Sequence, residues 1–351
     1  MDYTLVCTGC GCRYGSDYDR QICDNCDGIL DVVYSGAVRI GRPSRFWDME
    51  GVFPDSNYRH LDVGWTRLSK STEFDNLLLK YEFDNPTGSF KDRGSVVEIA
   101  KAKEFGYHEV TCASTGNMAY SVAYYSKIYG IRSVIFISRD ANRDKIRNIR
   151  STNNSRIVRV DGDFTDAQAA AIRYSDRTGS FLTGDYCYRK EGQKSMAYEI
   201  MHSSRGIDDI IVPIGNATLF SGFFRGLLEM RKMGRIRDMP RLIGVEAAGC
   251  APIADALDES RDARYVRPRT DADAIAVGMP TFWRQAVEAI RATGGKVVRV
   301  TDAEMRKEQR DFYISNGLVV ELGGIASLAA FRKLGADRGR RTVAILSGKN
   351  V

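Results

Sequence analysis

Two groups of residues have types and spacings that can do chemistry. The first is a run of thiols. Five of the eight cysteines lie in the first 26 residues, and Cys7, Cys10, Cys23 and Cys26 read C-x2-C-x12-C-x2-C. Each C-x-x-C sets two thiolates on one tight knuckle, and two facing knuckles give the tetrahedral sulfur set that suits zinc. Glycines at 9, 11 and 28 supply the backbone angles such knuckles need. A pair of disulfides is the alternative, disfavoured in a cytosolic chain. Four sulfur ligands leave no position for water, so the expected metal is structural, and Cys12 is spare. The second group is three polar turns. DNPTGSFKDRG (84–94) places Lys91 at a helix start, where the helix dipole opposes an ammonium unless the amine is neutral or covalently used. ASTGN (113–117) has N–H groups and hydroxyls fit to hold a carboxylate, and GNATL (215–219) small residues fit for a phosphate.

Each turn follows a strand and enters a helix. Apolar runs recur at 76–83, 109–112, 133–137, 156–160, 209–214, 241–245, 296–300 and 342–346. Helical stretches lie at 94–105, 117–129, 164–178, 191–204 and 218–233. This alternation predicts an α/β fold with mostly parallel sheets, in which ligands gather where strands end and helices begin. Residues 251–280, rich in Asp, Arg and Ala, are expected to form a mobile surface loop. An imine-forming lysine, a carboxylate turn and a phosphate cup together describe a pyridoxal-phosphate site.

The residues also resemble a family. NPTGSFKDRG (85–94) resembles the cofactor-lysine segment of threonine synthases, which are fold type II pyridoxal-phosphate enzymes. CASTGN (112–117) resembles their substrate-carboxylate loop, and RKEGQK (189–194) the segment opening with a phosphate-binding arginine. PIGNA (213–217) resembles the cofactor-phosphate loop, and GLVVE (317–321) a late strand with its acidic residue. The resemblance implies a tryptophan-synthase-β-like fold: two open, mostly parallel α/β domains with the site between them, plus an N-terminal zinc ribbon. The implied domains are the ribbon at 1–35, a large domain of 36–88 and 190–351, and a smaller one of 89–189.

Carried onto this chain, the resemblance implies that Lys91 is the catalytic residue and holds the cofactor as an imine. Asn117 would contact the ring's phenolic oxygen. Gly215, Asn216, Ala217, Thr218 and Leu219 would hold its phosphate, and Ser347 its pyridine nitrogen. Ser114, Thr115 and Gly116 would bind the substrate carboxylate, and Arg189 the leaving phosphate. The implied reaction is γ-elimination and β-hydration of O-phospho-L-homoserine to L-threonine and phosphate. Departures from the family pattern are Met118 for a small hydroxyl residue, Thr183-Gly184 for Asn-Ser, Thr218-Leu219 for Gly-Asn, and a dehydratase-like ending from Ser347. A threonine or serine dehydratase-like β-eliminase, or a β-replacement enzyme, is therefore the rival reading.

Composition agrees with an enzyme. The 351 residues are 43% hydrophobic and 27% charged, with 33 glycines and 8 prolines, a globular balance long enough for two or three domains. No apolar stretch of ~18 residues occurs, and the start lacks a secretory pattern, so a cytoplasmic enzyme without membrane contact is expected. The net charge is +6, with basic runs at 139–150 and 338–341. Interspersed acids make these solvated faces, although a nucleic-acid-binding protein using the ribbon is the non-enzyme alternative. The family's habit implies a homodimer and an amino-acid substrate as partners. His60, His108 and His202 read as structural or surface, Cys112 as a strand-end core residue. Cys187 lies close to Arg189 with no identifiable base, and Glu321 either nears the ring or caps a strand end.

Overall fold

The computed structural model describes residues 2–36, 41, 43–54, 61–114, 116–139, 143–162, 164–335 and 339–349. In chain order these form β1 (Tyr3–Cys7), β2 (Arg13–Tyr14), β3 (Leu30–Tyr34), β4 (Leu68–Lys70) and β5 (Leu77–Tyr81). Next come α1 (Lys91–Glu104), β6 (Glu109–Ala113), α2 (Asn117–Tyr129), β7 (Arg132–Ser138), α3 (Arg143–Ser151) and β8 (Ser155–Val160). There follow α4 (Phe164–Thr178), β9 (Phe181–Thr183), α5 (Cys187–Gln193), α6 (Ser195–Ser203), β10 (Asp209–Pro213) and α7 (Thr218–Lys232). The chain continues through β11 (Arg241–Ala247), α8 (Pro252–Asp258), α9 (Trp283–Thr293) and β12 (Lys296–Val300). It ends with α10 (Asp302–Asn316), α11 (Leu322–Lys333) and β13 (Thr342–Leu346).

These elements fall into two compact units, one of Met1–Val63 with Lys91–Gln193, the other of Gly64–Phe90 with Lys194–Asn350. The boundaries lie at 63/64, 90/91 and 193/194, where the sequence led us to place them at 35/36, 88/89 and 189/190. The last shift has a clear cause. α5 packs on α1 so closely that a Cβ on Gly94 would stand 2.5 Å from Cγ of Arg189, and one on Gly192 would stand 2.0 Å from the carbonyl of Arg93. The helix expected at 191–204 is instead two helices, α5 and α6, and the unit boundary runs between them.

The first unit holds a parallel sheet of order β8-β7-β6-β9 and an antiparallel sheet of order β2-β1-β3. β6 and β7 are almost wholly buried, as a parallel strand covered on both faces must be. The cysteine-bearing head, residues 2–36, is joined to α1 and α5 rather than standing apart. Gln21 Nε2 donates to Glu98 Oε1 at 3.2 Å and to the Leu182 carbonyl at 2.7 Å. The Tyr34 hydroxyl donates to Glu191 at 2.6 Å, and Asp31 pairs with Lys190. The buried Lys101 ammonium lies 4.6–5.5 Å from the ring centres of Tyr3, Phe105 and Tyr188.

The second unit is a sheet of order β12-β11-β10-β13-β5-β4, parallel throughout except for β4, which pairs antiparallel with β5. The central runs LLLKY, DIIVP and TVAIL are buried at every position. Its core joins Leu77, Ile211, Val245 and Ala344 of the sheet to Ile325 and Ala329 of α11. α10 opens on a capping box of Thr301 with Glu304 and stops at the left-handed Gly317. The stretch 251–280 is not the mobile loop expected. It contains α8, and backbone bonds from Arg269 to Gly249 and from Val266 to Gly278 pin it, with Ala272 and Ile275 buried. Among the described residues no helix is long and apolar enough to cross a membrane.

Candidate active site

Both parallel sheets reverse their strand order once. In the first unit the chain steps from β6 to β7 to β8, then places β9 on the other side of β6. In the second it steps from β10 to β11 to β12, then places β13 on the other side of β10. Such reversals open a crevice at the carboxyl ends of the flanking strands, where ligands bind in open α/β sheets. Two of the three turns singled out from sequence follow those strands, Ser114 with Gly116 and Asn117 after β6 and 215–217 after β10, and Ser347 follows β13; the lysine turn follows β5 instead.

Lys91 is the first residue of α1. The segment that delivers it is fixed inside the second unit. Phe90 N–H donates to the Ser347 carbonyl at 3.0 Å, Lys349 N–H to Gly88, and Gly88 N–H to Asn85. Asn85 in turn binds Glu82 and accepts from the Gly64 N–H at 2.9 Å. Beneath it a buried polar group joins Lys80 to Glu199 at 2.7 Å and Thr66 to Glu82 at 2.7 Å. In the first unit, Lys91 Nζ lies 3.8 Å from Asp185 Oδ1, in a turn after β9.

Ser114, Gly116 and Asn117 lie between β6 and α2, partly exposed, and Thr115 is outside the described residues. α2 begins at Asn117 with no side-chain cap on its first turn. A Cβ on Gly116 would meet nothing within 4 Å, so no packing within the described residues demands a glycine there. α1 and α2 are tied by Ser121 Oγ donating to Asp92 at 2.6 Å. Met118 is buried.

Arg189 is fully buried, and each guanidinium nitrogen meets a protein acceptor. Nε donates to the Gly184 carbonyl at 2.6 Å, one terminal nitrogen to Ser95 at 3.1 Å, and the other to Glu98 at 2.5 Å. To reach a substrate phosphate, the guanidinium would have to leave Glu98. Burial raises the Glu98 carboxyl against the opposing pull of Arg189. Neither cysteine nearby is a nucleophile: burial pushes Cys112 up to about 12 and Cys187 higher still.

In the second unit, α7 starts at Thr218 behind Ala217, which adopts the left-handed conformation at φ 61° and gives no side-chain cap. The first N–H groups of this helix thus point to an acceptor outside it, with the positive end of the dipole behind them. Gly215 is required by space, since a Cβ there would stand 2.8 Å from the Ala274 carbonyl. Asn216 accepts from Thr281, and Leu219 is buried. Ser347 is buried in the same unit. No strand forms over 317–321; Glu321 stands instead at the N-cap position of α11 without a side-chain cap bond, its N–H donating to the Gly348 carbonyl.

Away from these turns, the sulfurs of Cys7, Cys10, Cys23 and Cys26 lie within 4.8 Å of one another, and no disulfide joins the described cysteines. A Cβ on Gly28 would stand 2.9 Å from the Cys7 sulfur, which explains that glycine. Amide N–H groups of Gly9 and Cys10 point at the same sulfur. His108 and His202 are exposed, and His60 is outside the described residues. Parts of both basic runs are spent in ion pairs, Arg139 with Asp161 and Arg340 with Asp209.

The sequence reading passed over Asp185 and Glu98. Glu98 stands seven residues after Lys91, two turns along one helix face, a spacing visible in the chain. Asp185 had only its closeness to Arg189 to mark it.

Comparison with known proteins places the chain in a family. Residues 61–348 match the family described as PALP, pyridoxal-phosphate dependent enzyme. The threonine synthase of Methanosarcina acetivorans is 32% identical over 95% of this chain and 87% of its own. That of Methanocaldococcus jannaschii is 31% identical over 97% and 91%. Among solved structures, maize serine racemase superposes with a TM-score of 0.71 at 26% identity, covering 82% of this chain and 88% of its own. A threonine deaminase from Solanum lycopersicum has the same TM-score at 22% identity, covering 82% and 84%, and shares the fold. With lysine turn, sheet reversals and relatives in agreement, this chain belongs to the pyridoxal-phosphate-dependent enzyme family, with the fold type II architecture.

Proposed function

We propose that this chain is a lyase of the threonine-synthase type, converting O-phospho-L-homoserine and water to L-threonine and phosphate. The observation that carries the reading is Lys91 at the head of α1, in a chain 31–34% identical to several threonine synthases. The residues fit the cofactor: a helix start with small Gly215 and Ala217 before it suits a phosphate, and the open space at Gly116 suits a close-lying ligand. When bound, pyridoxal phosphate supplies an electron sink for chemistry at the substrate's α and β carbons.

Lys91 Nζ would hold its aldehyde carbon, Asn117 its phenolic oxygen, residues 215–219 its phosphate and the Ser347 hydroxyl its ring nitrogen. Ser114, Thr115 and Gly116 would hold the substrate carboxylate through N–H groups and hydroxyls. Freed from the aldehyde carbon, the Lys91 amine would take the proton from the substrate's α carbon and move protons at the β carbon. Arg189, with Glu98, holds the 184–189 segment in place; the phosphate-clamp role would need that pair to open. Cys7, Cys10, Cys23 and Cys26 would hold a structural zinc ion.

A second reading, β-elimination from threonine or serine, is favoured by that same Arg189–Glu98 pair. The test is a substrate panel on purified protein: phosphate release from O-phosphohomoserine against ammonia release from threonine and serine. Reaction with the hydroxy-amino acids alone would move the protein to the second reading. Borohydride reduction followed by peptide mapping should leave a cofactor adduct on Lys91; its absence would remove both.

A further inference from the structure

We infer that Asp185 is a catalytic partner of Lys91: the carboxylate that receives the lysine's ammonium when an amino-acid substrate takes over the cofactor's aldehyde carbon. The inference rests on the proposed cofactor chemistry and holds for phosphorylated and hydroxylated substrates alike. Asp185 Oδ1 lies 3.8 Å from Lys91 Nζ, and its side chain is 7% exposed. Its direction is imposed. Gly184, the residue before it, is gripped at both neighbouring peptide groups: its N–H donates to Glu98 Oε1 at 3.0 Å, and its carbonyl accepts from Arg189 Nε at 2.6 Å. Glu98 is on α1, the helix that begins at Lys91, so the clamp ties the carboxylate to the element carrying the amine. Residue 185 also follows β9, the strand that flanks the order reversal beside β6.

The chemistry asks for such a group. A substrate enters with its α-nitrogen protonated. Handing the aldehyde carbon from Lys91 Nζ to that nitrogen would exchange one carbon–nitrogen double bond for another, and the protons that the substrate's ammonium nitrogen gives up would all end on Lys91 Nζ, which becomes an ammonium in its turn. One positive charge has moved to Nζ, at the N-terminus of α1, where the dipole opposes it. Asp185 supplies the counter-charge and keeps the released amine beside the substrate. Two nearby groups are unsuited to the role: burial raises the Cys112 thiol to about 12, and Arg189 is itself a cation paired with Glu98.

The test uses full-length wild type, Asp185→Asn and Asp185→Glu. With the cofactor loaded, stopped-flow absorbance after mixing with L-threonine reads the exchange separately from turnover. Asp185→Asn should keep the borohydride adduct on Lys91 and exchange about 10- to 100-fold more slowly, and Asp185→Glu should restore the rate. In the cofactor-free proteins, acetic anhydride should label Lys91 about tenfold faster in Asp185→Asn, because more of its amine is neutral. Equal exchange and labelling in wild type and Asp185→Asn would overturn the inference and leave the cofactor reading intact. So would a glutamate variant as slow as the asparagine one at an unchanged melting temperature. Absence of any Lys91 adduct in wild type would instead overturn the cofactor reading.

Discussion

At the strand-order reversal of the four-stranded sheet, the turns carry ionisable and hydroxyl side chains: Asp185 after β9, Ser114 and Asn117 after β6, with Lys91 on the packed helix α1. At the reversal of the six-stranded sheet stand Gly215, Ala217 and the start of α7, which has no side-chain cap from Ala217, with Ser347 after β13. On the proposed function, one topology would serve two tasks. Making and breaking bonds needs side chains whose charge can change, and those need aiming, here by the Glu98–Arg189 clamp. Gripping a fixed anion needs only backbone N–H groups and room, which small residues leave.

Four single substitutions and one double variant sharpen or break that contrast. Lys91→Ala should abolish turnover and the borohydride adduct while the protein stays folded; retained activity would take the chemistry away from the first sheet. Arg189→Leu should cost about 3–5 kcal/mol of stability in denaturant melts, because it leaves Glu98 buried without its counter-charge. Adding Glu98→Leu should recover most of that loss, and a failure to recover would mean that Arg189 serves another partner. Gly215→Val should lose about 1–3 kcal/mol by pressing on the Ala274 carbonyl, and should weaken cofactor retention more than it lowers the rate of the loaded enzyme. Ala217→Gly should gain about 1 kcal/mol in the same melts by relieving a left-handed alanine. No gain there would mean that the loop's strain is compensated elsewhere.

Much of this was legible in the sequence, for reasons that differ by element. Runs such as DIIVP and TVAIL are buried on both faces, so they read as strands without any alternation to count. The lysine turn and the cysteine knuckles are local, and residue type with spacing suffices. What escaped is non-local. Glu98 and Arg189 are 91 residues apart and meet only because α5 crosses α1 at two glycines. Asp185 gains its meaning from the pairing of β9 with β6, which no single segment encodes. The break between Gln193 and Lys194 was hidden because EGQKSMAYE has helix-forming residues on both sides. The segment 251–280 looked loose because backbone bonds, rather than periodic apolar side chains, hold it.

The cysteine head bears on how the protein must be handled. Gln21, two residues before Cys23, has its amide nitrogen on Glu98, the carboxylate that also steadies Arg189 and Gly184. An oxidant that welds these thiols into disulfides would tug on the scaffold aiming the reactive amine, without touching the amine itself. A preparation that lost activity on storage, and regained it with thiol reductant and metal salt, would have been damaged at its far end.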